Sequence, residues 1–345
     1  MSASDAPLGG FRPSMDRNLG FELCRVTEAA AMAAARWMGR GDKNAADQAA
    51  VTAMRQTLNH VDMDGVVVIG EGEKDAAPML YIGERVGNGL APEVDVAVDP
   101  IDGTTLLAKG LPNALSIVAI AGRGSMFYPP GIVYMDKLAV GRVGRGVVSL
   151  EAPVRENIRN LARARKCEPE DLTICVLDRP RHEELIRQIR EAGARIMLIS
   201  DGDVAGAIMA AMEDYTGVDM LMGIGGAPEA VLAAAALKCL GGEIQCRLWP
   251  RNAQEAEQAR ASGLDLDRIY TTDDLVNDDD VSVALTGITH GELVNGVRFF
   301  SRGARTETLV MRSRSGTIRR IESEHNFEKL ARYVDMPFVR PSAAS

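Results

Sequence analysis

Apolar residues first recur at helical spacing: Phe21, Cys24, Ala29, Met32 and Ala33 follow about a 3.6-residue period, which predicts a helix from Asn18 to Trp37. Gly39-Arg-Gly41 punctuates its end. A second helix is expected over residues 45–59, with Asn44 as its N-cap. Beyond residue 60 the pattern changes to short Val/Ile-rich runs, each followed by a Gly-rich or acidic turn and then a helix, the grammar of α/β folds. The unit is read four times. Residues 65–70 run into Glu71-Gly-Glu-Lys-Asp75, residues 94–98 into Asp99-Pro-Ile-Asp-Gly-Thr-Thr105, residues 195–199 into Ser200-Asp-Gly-Asp203, and residues 218–222 into Gly223-Ile-Gly-Gly-Ala-Pro-Glu229. Each turn stands where a strand hands over to a helix, so its polar groups converge at a sheet edge. The four units are too dissimilar to count as a sequence repeat.

Pro153 interrupts a Gly-rich stretch and a basic helix over residues 155–166 follows, which places a boundary near residues 150–165. Residues 254–280 are polar and acidic. Residues 306–311 and 317–321 flank Ser315-Gly316 and are expected to form a late hairpin. The expected division is a flexible N-terminus (1–16), two lobes (17–155 and 156–336) and a loose C-terminal tail (337–345).

Composition narrows the classes. Hydrophobic residues make up 46% but aromatics only 4%, so the core must be aliphatic. A formal net charge of −9 argues against nucleic acid or an anionic membrane as partner. An anionic substrate therefore needs a local basic pocket or bound cations. The five cysteines are odd in number and form no CxxC pair, which reads as reduced thiols of a cytoplasmic protein. The N-terminus lacks an apolar signal core, and no run reaches the roughly 20 apolar residues that span a bilayer.

The strongest chemical signal is Asp99-Pro-Ile-Asp-Gly-Thr104, two carboxylates three apart leaving a buried strand through a turn fixed by Pro100. Mg²⁺ and Mn²⁺ prefer such oxygen donors. The bland reading is an acidic turn with a helix cap. Glu71 follows a strand among small residues and is otherwise a solvated turn acid. Asp47, three residues after Asn44, is otherwise a first-turn acid favoured by the helix dipole, as is Glu229 with Pro228 near N1. Arg179 and Arg181, after the strand at residues 173–177, can fork around a phosphate or form a solvated basic turn. Gly225, Gly226 and the helix start behind them offer N–H donors to an oxyanion. No Walker loop, dinucleotide fingerprint, HExxH or GxSxG occurs.

Taken together, Trp37-Met-Gly-Arg-Gly-Asp-Lys-Asn44, Ile69-Gly-Glu-Gly-Glu73, Asp99-Pro-Ile-Asp-Gly-Thr104, Tyr134-Met-Asp-Lys137, Arg179-Pro-Arg-His182, Asp201-Gly-Asp203 and Gly223-Ile-Gly-Gly-Ala-Pro-Glu229 resemble class II fructose-1,6-bisphosphatases. The likeness runs from about residue 16 to residue 335. It implies an α/β sugar-phosphatase fold, a layered α-β-α-β-α sandwich with two lobes, the first binding metal and the second substrate. It implies hydrolysis of the 1-phosphate of fructose 1,6-bisphosphate in gluconeogenesis, with Mg²⁺ or Mn²⁺ as cofactor, and a cytoplasmic homodimer or homotetramer. The metal ligands it implies are Asp47, Glu71, Asp99, Asp102 and Glu229. The substrate contacts are Asp102, Gly103, Thr104, Tyr134, Arg179, Arg181, Asp201, Gly202, Asp203 and Gly226, with Thr104, Asp99 and Asp102 catalytic and Thr104 orienting the attacking water. Asp102 stands where some members carry Glu, and Arg179 where some carry Lys. Rival readings are a phosphatase acting on sedoheptulose 1,7-bisphosphate or an inositol phosphate, and a non-catalytic phosphate-binding regulator.

Overall fold

The computed structural model describes Met15 and residues 18–72, 79–127 and 131–330. Apart from Met15, the expected N-terminal segment lies outside the described residues, as do the C-terminal tail and the end of the Glu71 turn. In chain order the first elements are α1 (Leu19–Ala35), α2 (Lys43–Leu58), β1 (Asp64–Ile69), β2 (Arg85–Val86), β3 (Glu93–Asp102), α3 (Thr104–Lys109), β4 (Leu115–Gly122) and β5 (Tyr134–Val140). The middle of the chain forms α4 (Val154–Arg165), β6 (Thr173–Leu177), α5 (Glu183–Glu191), β7 (Arg195–Ile199), α6 (Asp203–Ala211), α7 (Glu213–Thr216), β8 (Met220–Gly226), α8 (Ala227–Leu240) and β9 (Glu243–Trp249). Then follow α9 (Ala253–Ala261), β10 (Ile269–Thr271), α10 (Thr272–Leu275), β11 (Ser282–Gly287), β12 (Arg298–Phe300), β13 (Gly303–Arg312), β14 (Thr317–Asn326) and α11 (Phe327–Leu330).

The strands build two sheets. One runs β12-β13-β11-β4-β3-β1-β2 with β14 also paired to β13, and the other runs β10-β9-β5-β8-β6-β7. Alternation along the strands gives each sheet two apolar faces. Val94, Val96 and Val98 of β3 join the cluster under α1 and α2, whereas Ala97 joins Ile117 and Ala119 of β4 in the layer between the sheets. α6 and α8 fill that layer, and nearly every residue of α8 is buried because it meets a sheet on both sides. Leu138 and Val140 of β5 face outward onto Ile158 and Leu161 of α4 and Ile186 and Ile189 of α5. The result is the expected five layers, helix–sheet–helix–sheet–helix.

Several local expectations change. The second helix begins at Lys43, and its N-cap is Asp42, whose side chain accepts a hydrogen bond from Ala45 N at 3.0 Å, not Asn44. Asp47 is consequently past the first turn. The Asp99–Asp102 segment is not a turn but the end of β3: Asp99 pairs with Ile117 and Asp102 with Leu115, so three steps on β3 face two on β4. This bulge accommodates Pro100, which has no N–H for the ladder. Among the described residues no helix stands between β1 and its antiparallel partner β2, and the part of the Glu71 unit after Gly72 lies outside them. The division between the sheets does not follow the boundary near residues 150–165, because β5 lies in the second sheet and β11 to β14 return to the first. The late hairpin is present and longer, with ten pairs between β13 and β14. All five cysteines are free, four of them buried.

Leu237, fully buried in α8, touches the layer on which both sheets rest. Leu237→Ala should lower unfolding stability by about 2–5 kcal/mol, read as a lower denaturant midpoint at unchanged slope.

Candidate active site

Acidic groups from distant parts of the chain meet between the two sheets. Asp47 from α2, Glu71 just after β1, Asp99 and Asp102 at the end of β3, Thr104 at the start of α3, Asp201, Gly202 and Asp203 at the start of α6, and Glu229 in the first turn of α8 line one cavity of about 270 Å³. The bulge in β3 is what puts both aspartates there. Residues three apart in a regular strand point to opposite faces, whereas the extra residue returns Asp102 to the face of Asp99. Asp99 accepts a hydrogen bond from Ile101 N at 3.0 Å.

Two bonds join the β3–α3 segment to α6 and the loop before it. Asp102 accepts from Ala205 N in α6 at 2.9 Å, and Asp201 accepts from Thr105 N at 3.0 Å. Thr104 Oγ1 donates to the Ile101 carbonyl at 3.3 Å. Lys43 Nζ donates to Thr105 Oγ1 at 2.8 Å from the start of α2.

A second cavity of about 300 Å³ shares the walls formed by Asp201, Asp203, Pro228 and Glu229 and adds Tyr134, Arg179, Arg181, Gly225 and Gly226. Arg181 donates to the Ile224 carbonyl through Nη2 at 2.8 Å and lies 5.1 Å from the centre of the Tyr134 ring. His182 fixes this loop from behind. Its Nε2 accepts from Ile224 N at 2.8 Å, so Nδ1 carries the proton and donates to the Leu177 carbonyl at 2.7 Å. Burial holds the imidazole below its ordinary pKa, helped by Arg181 and Arg179, which matches the neutral form.

The structure thus brings Asp47, Glu71, Asp99, Asp102, Gly103, Thr104, Asp201, Gly202, Asp203 and Glu229 to one cavity, and Tyr134, Arg179, Arg181 and Gly226 to the cavity beside it. None of these residues is left elsewhere. Sequence reading missed Lys137 and His182 as parts of the site. Lys137, 2% exposed, places Nζ 2.6 Å from Asp203 Oδ2 in a buried ion pair. The signal was available: a lysine in β5 at alternate spacing between the apolar, inward-facing Met135 and Ala139.

The electrostatics of the ring are unbalanced. Burial raises Asp99 well above the ordinary carboxylate pKa, followed by the charges of Asp102, Glu71 and Glu229. Burial and then Asp203 do the same to Asp102, against the bond from Ala205 N. Glu71 is pushed up to about 8 by burial, Asp47 and Glu229. Burial alone raises Asp47, and Glu229 is raised by burial and Asp203 against the pull of Lys137. Glu229 Oε2 is buried with no hydrogen-bond partner. Among the described residues no three His, Cys, Asp or Glu side chains are already arranged to hold a metal ion. The donor set nevertheless fits a hard divalent cation: all oxygen, mutually repelling, and with an orphaned buried carboxylate oxygen.

Residues 17–325 match the family described as bacterial fructose-1,6-bisphosphatase, glpX-encoded. The chain belongs to that family. It is 46% identical over 335 residues to the fructose-1,6-bisphosphatase class 2 of Haemophilus influenzae (strain ATCC 51907 / DSM 11121 / KW20 / Rd), covering 93% of this chain and 100% of the relative. It is also 46% identical over 336 residues to the D-fructose 1,6-bisphosphatase class 2/sedoheptulose 1,7-bisphosphatase of Synechococcus sp. (strain JA-3-3Ab), covering 90% and 96%. A solved structure of extragenic suppressor protein suhB from Bartonella henselae matches 57% of this chain and 74% of its own at 17% identity and a TM-score of 0.32, too slight a likeness to build on. No helix among the described residues is long and apolar enough to cross a membrane.

A Cβ on Gly225 would lie 1.8 Å from Asp203 Oδ2 and 3.0 Å from Lys137 Nζ. Gly225→Ala should therefore displace the Lys137–Asp203 pair and cut kcat/KM at least about tenfold while the chain stays folded, read by steady-state kinetics beside far-UV circular dichroism. A second outcome concerns pH. The raised carboxylates hold protons that the unfolded chain releases above about pH 4.5, so their share of stability is full below that pH and is lost as pH rises through about 8 for Glu71. In a chelator the thermal midpoint should fall between pH 5 and pH 8, and Mg²⁺ or Mn²⁺ should flatten that fall.

Proposed function

We propose that this chain is a fructose-1,6-bisphosphatase that releases the 1-phosphate of fructose 1,6-bisphosphate with the help of a divalent cation. The observation that carries the reading is the shared wall between the two cavities: Asp201, Asp203 and Glu229 separate a ring of carboxylates from a pocket holding Arg179 and Arg181. One side suits cations and the other suits an anion. A sugar carrying phosphate at each end suits that pairing.

Asp47, Glu71, Asp99, Asp102 and Glu229 would hold the metal. Bound Mg²⁺ or Mn²⁺ supplies Lewis acidity and lowers the pKa of water, which phosphate-monoester hydrolysis needs because its uncatalysed rate is among the slowest known. The protein's own groups do the rest. Thr104, donating its proton to the Ile101 carbonyl, keeps its oxygen as an acceptor for a water O–H and so orients that water. Arg179 and Arg181 bind a phosphate through charge-assisted, bidentate hydrogen bonds, and His182 holds their loop in register with β8. Asp201 and Asp203 accept sugar hydroxyls, with Tyr134 closing the pocket. Arg179, with its planar fork, binds phosphate in two places where a lysine would bind it in one.

Sedoheptulose 1,7-bisphosphate is a second substrate, a reading favoured by the Synechococcus relative, whose name carries both activities. The two sugars differ by one hydroxymethylene unit, a small change for discrimination. The same reading places the enzyme in the cytoplasm, in gluconeogenesis, as a homo-oligomer.

Inorganic phosphate release from fructose 1,6-bisphosphate, sedoheptulose 1,7-bisphosphate and inositol 1-phosphate, each with Mg²⁺, Mn²⁺ or chelator, tests the proposal. Cation-dependent release from fructose 1,6-bisphosphate is expected, together with at least about a hundredfold loss in Asp99→Ala. Absence of release from both sugar bisphosphates with either cation would overturn it.

A further inference from the structure

Met135 and Ala139 of β5 are fully buried in the layer between the sheets, and Lys137 stands between them on the same face. Among the described residues it is the one buried lysine or arginine. β8 and β9 flank it, with Gly223 and Cys246 directly opposite. Its Nζ donates one hydrogen bond, to Asp203 Oδ2 at 2.6 Å, although an ammonium carries three donors. A buried ion pair is a poor source of stability, since apolar residues of similar volume commonly serve as well or better. The neighbours of this pair give it another purpose.

Asp203 and Glu229 line both cavities, the carboxylate ring on one side and the arginine pocket on the other, whereas Lys137 lines neither. It stands behind their shared wall. Oδ2 of Asp203 is taken by Lys137, while Oδ1 makes no hydrogen bond among the described residues. The pair thus fixes the carboxylate with one oxygen left for a hydroxyl. Glu229 Oε2 has no hydrogen-bond partner, yet it lies within the field of the same ammonium. Burial lowers the pKa of Lys137, but Asp203 and then Glu229 raise it overall, so the charge is kept. Two glycines clear the space around these groups. A Cβ on Gly225 would lie 3.0 Å from Lys137 Nζ, and one on Gly226 would lie 1.8 Å from Glu229 Oε2.

We propose that Lys137 is a positioning residue that acts on the two ligands of the site in opposite directions: it strengthens the hold on the sugar bisphosphate and weakens the hold on the divalent cation. The proposal rests on the phosphatase reading given above. Toward the sugar, Lys137 acts through Asp203. With Oδ2 anchored, Oδ1 is presented to the cavity in one orientation, and a hydroxyl that binds there does not have to order the carboxylate first. Toward the cation, Lys137 acts by charge. It offsets part of the attraction that Asp203 and Glu229 exert on a dication in the ring, at a depth where solvent screens little. A side chain that only filled space would, on removal, loosen the wall and weaken both ligands together. Opposite movements separate the two roles.

Two measurements on the full chain test this: calorimetric titration of Mn²⁺ into chelator-stripped protein without substrate, and steady-state phosphate release from fructose 1,6-bisphosphate at saturating Mg²⁺. Lys137→Met should raise KM at least about tenfold with kcat changed by less than about threefold, because Lys137 touches no reacting atom. The same variant should lower the apparent Kd for Mn²⁺ at least about threefold. Asp203→Asn leaves the ammonium unpaired and should raise that Kd by about the same factor. The double variant restores the net charge, so its Kd for Mn²⁺ should return to within about twofold of wild type, and its KM should match that of Asp203→Asn alone. Should Lys137→Met fail to fold, Asp203→Asn and the double variant, in which both charges are gone, still decide the matter. Unchanged or weaker Mn²⁺ binding in Lys137→Met, a KM it leaves unmoved, or KM losses that add in the double variant would overturn the proposal. A wild type that binds Mn²⁺ but releases no phosphate would instead overturn the phosphatase reading and the sugar effect with it, and the Mn²⁺ series would still decide the effect of the charge.

Discussion

Carboxylates crowded into a space between two sheets, with one buried lysine among the described residues to offset them, set the terms for this molecule. Asp47, Glu71, Asp99, Asp102, Asp201, Asp203 and Glu229 line the cavity, and Lys137 is paired to only one of them. Unpaired charge in a low-dielectric layer is costly, which is why Glu71, Asp99 and Asp102 are raised toward their protonated forms. The ring is stable as an arrangement only with protons or cations in it. A fold that keeps such a ring must be held together by something other than the ring.

That support comes from the layers. α8 carries Glu229 at its first turn and buries almost all of its remaining length between the sheets, so the carboxylate is anchored by aliphatic packing rather than by its own interactions. α6 does the same for Asp203, and Asp102 reaches across to its first turn through Ala205 N. The bonds that join the β3–α3 segment to α6 and the loop before it are therefore made by the acids themselves.

The arginine pocket is held differently. Its loop leaves β6 and is pinned to β8 by His182 and by Arg181, both through the Ile224 peptide. Gly225 and Gly226 follow at once, where a Cβ would strike Asp203 or Glu229. One short stretch of β8 thus positions the basic loop by its backbone and clears room for the acids by its lack of side chains.

Read without its structure, the chain already declared an aliphatic core, an α/β grammar, the acidic DPIDGT segment, the arginine pair and the late hairpin, because these are properties of spacing and residue type within a few positions. Which sheet each strand joins was not legible: β5 and β11 to β14 cross the expected boundary, since strand partners are chosen by packing between distant segments. The N-cap at Asp42 rather than Asn44 was a choice between neighbours of equal local merit, and the structure has Asp42 accepting from Ala45 N. Lys137 looked like one more charge until burial gave it Asp203. Sequence determined which groups would be present and their local periods. Only tertiary structure decided that a bulge at Pro100 turns both aspartates to one face and that seven acids share one cavity, because these depend on the register of one strand against another.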